Sequence, residues 1–73
     1  KKEFDVLWLL FQNKGDAVDR DMIADQGWPE RTEGDVGNQE IEQCISRIRR
    51  RIELRPGNPE LILTLRSFGY KMP

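Results

Sequence analysis

Histidine is absent from this 73-residue chain, and cysteine occurs once, at Cys44. The first absence removes the commonest general base and metal ligand, and with it any Ser/His/Asp set. A single cysteine excludes an internal disulfide framework and a cysteine-based metal cage. No phosphate-cradling or dinucleotide-binding glycine motif occurs. Asp19, Asp21 and Asp25, spaced by two and four, cannot all share one helix face, and they lack the loop glycine of a calcium site. No apolar run approaches the roughly 20 residues needed to cross a bilayer, and the start has no signal-peptide pattern. The expectation is therefore no enzyme, no cofactor, no metal and no membrane contact, with a cytoplasmic, reducing location.

Apolar residues make up 37% of the chain and fall in clusters, which favours one folded domain over residues 1–73 despite 34% charged content. Such a length lies near the lower limit for a self-sufficient core. The net charge of −1 is divided unevenly. Residues 1–37 carry five basic and nine acidic side chains, and residues 38–73 carry seven basic and four acidic ones. A phosphate-binding surface, if the chain has one, belongs in the second half.

Three helices and a hairpin are predicted. From about Glu3 to Gln12, Phe4, Leu7, Trp8 and Phe11 follow helical spacing and define the expected buried face, widened by Val6, Leu9 and Leu10. Asn13-Lys14-Gly15 closes this helix. A second helix starts near Asp19, a good N-cap, uses Met22 and Ile23 as apolar contacts, and ends at Gly27. Ala17-Val18 between them could add a stub of strand. Pro29 to Gly37 reads as an exposed loop. A third helix runs from Gly37 or Asn38 to about Leu54, with Ile41, Cys44, Ile45, Ile48 and Ile52 as its buried stripe. Gln39, Gln43, Ser46, Arg47 and Arg50 point away from that stripe, with Arg49 and Arg51 flanking it. Cys44 borders the stripe as a packing residue.

The turn signal Arg55-Pro56-Gly57-Asn58-Pro59 follows. Leu61 to Arg66 then reads as a strand, with Leu61, Leu63 and Leu65 on one face and Ile62, Thr64 and Arg66 on the other. Ser67-Phe68-Gly69 turns the chain, and Tyr70 to Met72 returns as the second strand. The class is mainly α with a small β-hairpin.

That order resembles the winged helix-turn-helix of OmpR/PhoB-type transcriptional regulators: three helices plus a C-terminal wing. Three stretches carry the resemblance: Lys2-Glu3-Phe4-Asp5-Val6-Leu7 at the first helix, Ile45-Ser46-Arg47-Ile48-Arg49-Arg50-Arg51-Ile52-Glu53 at the end of the third, and Leu63-Thr64-Leu65-Arg66-Ser67-Phe68-Gly69-Tyr70-Lys71 in the wing. It implies sequence-specific binding of double-stranded DNA in transcription regulation, with the third helix in the major groove and the wing in an adjacent minor groove. Family domains usually begin with a small antiparallel sheet, so the chain is expected to be a fragment of a larger regulator.

The chemistry of the third helix agrees. Glutamine can pair bidentately with adenine and arginine with guanine, which makes Arg47 and Arg50 the best candidates, with Gln39, Gln43 and Ser46 beside them. The resemblance gives Arg49 and Thr64 phosphate contacts, Arg66 the minor groove and Trp28 a place against the DNA backbone. It also gives the Pro29–Gly37 loop, with Glu30, Arg31, Glu33 and Asp35, a role in touching RNA polymerase or a sigma factor. A homodimer of the full-length protein would bind two half-sites. Gln39, Glu40, Cys44 and Ser46 stand where the family often has Arg, Thr, His and Arg. Ser67 replaces a usual glycine, so an altered wing bend is expected. Glu40 and Glu42 place negative charge at the helix entrance, which motivates an alternative: a winged helix that has lost DNA binding and serves protein interaction.

Overall fold

Seven of the eleven residues of the first helix, α1 (Lys2–Gln12), are apolar, so both of its faces can pack. The computed structural model, which describes residues 1–31 and 35–73, buries the Val6 and Leu10 flank of the expected face and turns its Phe4, Trp8 and Phe11 side outward. Val6 and Leu10 are fully enclosed, whereas Phe4, Trp8 and Phe11 are 64%, 46% and 53% exposed. The selection is made where α1 meets α2 (Arg20–Gly27). A Cβ at Gly27 would stand 3.0 Å from Val6 Cγ2, so glycine lets the two helices approach on the Val6 side. Lys2 lies on the same side, and its Nζ donates to the Gly27 carbonyl at 2.6 Å. A cation there satisfies a carbonyl at the negative end of the α2 dipole. The three aromatics stack along the outer face, with ring centroids 6.4 Å apart for Phe4–Trp8 and 5.7 Å for Trp8–Phe11.

Asp19 caps α2 as expected, its Oδ1 accepting from the Met22 N–H at 2.8 Å. Ile23 is buried, but Met22 is exposed. The third helix, α3 (Asn38–Ile52), buries Ile41, Cys44, Ile45 and Ile48 and half-buries Ile52, which is the expected stripe. Burying each isoleucine stabilises by about 1.5–3 kcal/mol. That outweighs the helix-propensity cost of β-branching, below ~1 kcal/mol per residue.

The strand stub is real. Strand β1 (Ala17–Asp19) joins β2 (Leu63–Leu65) and β3 (Gly69–Lys71) in an antiparallel sheet ordered β1-β3-β2. Val18 and Thr64 both sit opposite Tyr70. Gly69 is required at this seam, because a Cβ there would collide with the Val18 carbonyl oxygen and stand 2.9 Å from Asp19 Cα. The core gathers Val6, Leu10, Val18, Ile23 and Trp28 with the α3 stripe, Ile62 and Tyr70.

Several element boundaries are shifted from expectation, and the late start of β2 has a local cause. Helix α3 stops at Ile52 rather than Leu54, and β2 starts at Leu63 rather than Leu61. The Glu53 carboxylate takes the N–H groups of Glu60, Leu61 and Ile62, and Arg49 takes the Ile62 carbonyl. Backbone groups bound to side chains cannot also join a strand ladder. Among the described residues no helix is long and apolar enough to cross a membrane.

Candidate nucleic-acid interface

The α3 stripe turns five polar positions outward. Gln39, Gln43, Arg47 and Arg50 are exposed and Ser46 is half-buried. Gln43, Ser46, Arg47 and Arg50 line one shallow surface groove. Among the described residues, neither the Arg47 nor the Arg50 guanidinium has an ion-pair or hydrogen-bond partner. Arg51 meets Glu3 at 3.2 Å, but with the arginine 78% exposed such a pair is weak and leaves its charge accessible. Four arginines thus occupy the C-terminal half of α3, where the helix dipole also favours cations.

At the other end of α3, the negative charge of Glu40 is not left bare. Arg31 Nη1 donates to Glu40 Oε2 at 2.9 Å, and the Gly37 N–H donates to the same oxygen at 3.3 Å. These bonds hold the Glu40 carboxyl below the usual carboxylate range, the Arg31 bond first. Sequence reasoning treated Glu40 as a bare repulsive charge, because its partner lies nine positions away across the loop.

The hairpin turn carries Arg66, exposed, between β2 and β3. The Phe68 N–H donates to the Leu65 carbonyl at 3.0 Å and closes the turn. Ser67 adopts φ 60°, the left-handed conformation that glycine takes without strain. Serine thus occupies a turn position that glycine would fill without strain.

Arg49 and Thr64 are brought together. Arg49 donates through Nη2 and Nε to the Ile62 carbonyl at 2.8 and 3.3 Å, and through Nη2 to the Thr64 hydroxyl at 2.9 Å. The guanidinium also lies over the Tyr70 ring, 5.7 Å from its centroid. Burial raises the Tyr70 hydroxyl above its ordinary pKa, and it does the same to the Cys44 thiol. Trp28 is not part of this surface. It is 6% exposed, packed in the core, with Lys2 Nζ 4.6 Å from its ring centroid. Such burial supports core packing for a residue to which the resemblance gives a place against the DNA backbone.

In the 29–37 loop, Glu30, Arg31 and Asp35 are exposed. Glu33, also expected in that charged surface, lies outside the described residues. Glu53 was named only as the last residue of a matching stretch and given no role. Its one signal in the sequence is a carboxylate directly behind a stripe of isoleucines.

Comparison with known proteins places this geometry. Residues 1–72 match the family model described as "Transcriptional regulatory protein, C terminal". A probable transcriptional regulator, ycf27, of Galdieria sulphuraria is 40% identical over 68 residues, covering 93% of this chain and 27% of the relative. The chain spans less than a third of the length of the curated relatives it matches first. Among solved structures, the Klebsiella pneumoniae RstA DNA-binding domain in complex with its RstA box superposes with a TM-score of 0.82 at 28% identity, covering 99% of this chain and 69% of that one. The Thermotoga maritima response regulator DrrB, an OmpR/PhoB homologue, gives a TM-score of 0.82 at 34% identity, covering 97% and 31%.

Proposed function

The chain belongs to the family of C-terminal domains of OmpR/PhoB-type transcriptional regulatory proteins, and from that premise we propose that it reads double-stranded DNA sequence-specifically. Helix α3 lies in the major groove, and the β2–β3 wing reaches the adjacent minor groove. One observation carries this reading: Arg47 and Arg50, unpartnered among the described residues, share an exposed groove with Gln43 and Ser46 on the most regular helix of the fold. A helix of this diameter fits the major groove, and these side chains supply the donors that distinguish guanine and adenine.

The roles divide by chemistry. Arg47 and Arg50 are the guanine readers, with Gln39, Gln43 and Ser46 beside them. Arg66 enters the minor groove. Arg49 and Thr64 act as one unit toward a phosphate. With Nε and Nη2 bound inside, the Nη1 edge of Arg49 remains, and the Thr64 hydroxyl, already accepting, keeps its proton to donate. The RstA domain's own complex with an RstA box supports the assignment. In the full-length regulator two copies bind two half-sites, and the exposed Glu30, Arg31 and Asp35 face RNA polymerase or a sigma factor. No catalytic chemistry attaches to this reading, and its setting is the cytoplasm.

The rival reading, a protein-interaction module, rests on the acidic entrance to α3. The Arg31–Glu40 pair offsets part of that charge. Selection from a random duplex pool decides between the two. An enriched motif that Arg47→Ala alters at one position supports DNA reading. No enrichment at low salt, from the folded chain as monomer and as forced dimer, favours the interaction module.

A further inference from the structure

Glu53 is the one charged residue in the buried class among the described residues, at 8% exposure. Burying a carboxylate is costly unless its oxygens are well bonded. Here Oε1 accepts from the N–H groups of Glu60 and Leu61 at 2.9 and 3.0 Å. Oε2 accepts from Leu61 and Ile62 at 2.9 and 2.8 Å. Three successive backbone donors converge on a single side chain. Four residues earlier, in the last turn of α3, Arg49 binds the Ile62 carbonyl. Ile62 is thus gripped through its N–H by Glu53, through its C=O by Arg49, and through a side chain that is fully enclosed.

Ile62 is the residue immediately before β2. That strand has three residues and stands at the edge of the sheet, so among the described residues no strand on its outer side holds its start. Both clamping side chains come from the C-terminal end of α3, Arg49 from its last turn and Glu53 from its C-cap. The entry to the wing is therefore tied directly to the end of the proposed reading helix, in addition to the core packing of Ile62 and the pairing of β2 with β3. Arg66 lies four residues beyond Ile62, about 13 Å away along extended chain. A tilt of ~10° at Ile62 would move Arg66 by about 2 Å, enough to break a hydrogen bond.

We infer that Glu53 is a positioning residue for DNA reading, one that sets where Arg66 stands relative to α3 without touching DNA. The role rests on the DNA-reading assignment above. An apolar residue could bury equally well at this place, but it could not receive three N–H groups.

The test is a double-mutant cycle read by binding to an enriched duplex. Arg66→Ala should weaken binding about tenfold in the unsubstituted chain and less than about twofold in the Glu53→Gln background. Arg47→Ala should cost the same factor in both backgrounds. An undiminished effect of Arg66→Ala would overturn the positioning role. So would equal shrinkage of both effects, which would make Glu53 a brace of the whole fold. If Glu53→Gln does not fold, Glu53→Asp runs the same cycle, since it keeps the charge but is one methylene too short to reach all three donors.

Hydrogen exchange of the free chain separates the two possible failures. The Leu61 and Ile62 amides should exchange faster in Glu53→Gln while α1 and α2 keep their protection. Should the unsubstituted chain enrich no duplex, the DNA reading falls and takes the positioning role with it. Should it bind, and the cycle show no coupling, the positioning role falls alone.

Discussion

The Arg49 guanidinium of α3 and the Thr64 hydroxyl of β2 meet at 2.9 Å, joining the helix proposed to read bases to the strand that carries the wing. Because the same guanidinium also holds the Ile62 carbonyl, two residues assigned phosphate contact on sequence grounds are first of all bonded to one another and to the fold. The arginines of α3 are therefore not equivalent, and their substitution separates them.

Arg49→Ala leaves the enclosed Ile62 carbonyl without its side-chain donors. It should lower stability by about 1–3 kcal/mol in urea unfolding. Arg50→Ala, on an exposed and unbonded side chain, should stay within about 0.5 kcal/mol of the parent. Equal losses for the two would show that the Arg49 bonds do not form in solution.

Acid should act through Glu53. Burial pushes its carboxyl up, but the hydrogen bonds from the Glu60, Leu61 and Ile62 backbone, together with nearby Arg49, bring it below the ordinary carboxylate range. A depressed folded-state pKa contributes stability that is complete above the unfolded value, about 4.3, and is lost as pH falls through the folded value. The stability gap between the parent and Glu53→Gln should accordingly be constant near neutrality and close as the pH drops below about 4. A gap that widens in acid would contradict the assignment.

The two residues around the wing turn should respond in opposite senses. Ser67 occupies the left-handed region at φ 60°, so Ser67→Gly should stabilise by up to about 1 kcal/mol. Gly69→Ala forces a methyl group against the Val18 carbonyl and should open the β1–β3 seam, visible as lost amide protection in β3. Thermal melts of both variants check the signs.

The two tryptophans provide an optical check on the orientation of α1. Trp8 is 46% exposed and Trp28 6%. Acrylamide should quench the parent strongly, and the Trp8→Phe variant, with only the Trp28 indole left, should be nearly shielded. Strong quenching of that variant would place Trp28 outside the core.

That orientation is where the sequence was least legible. Phe4, Leu7, Trp8 and Phe11 satisfy helical spacing as well as Val6 and Leu10 do, and spacing alone cannot choose between two apolar faces. The choice came from Gly27 and Lys2, whose contacts exist only once α2 has folded back on α1. Helix α3 was legible because its opposite face is wholly polar, so Ile41, Cys44, Ile45 and Ile48 admit one inward direction. Arg47 and Arg50 were readable as exposed for the same reason, and Arg66 because it stands at the hairpin turn. The Arg49–Thr64 bond, the Arg31–Glu40 pair and the Glu53 clamp were not, since each joins residues 7–15 positions apart through a loop or turn of no regular period.

The salt dependence of binding to an enriched duplex tests the central claim most directly. With arginines from α3 and the wing neutralising several phosphates, log affinity should fall with log salt at a slope of about −3 or steeper. Arg66→Ala should make that slope shallower. Affinity that stays flat as salt rises, or a slope unchanged by loss of Arg66, would contradict DNA reading by this surface.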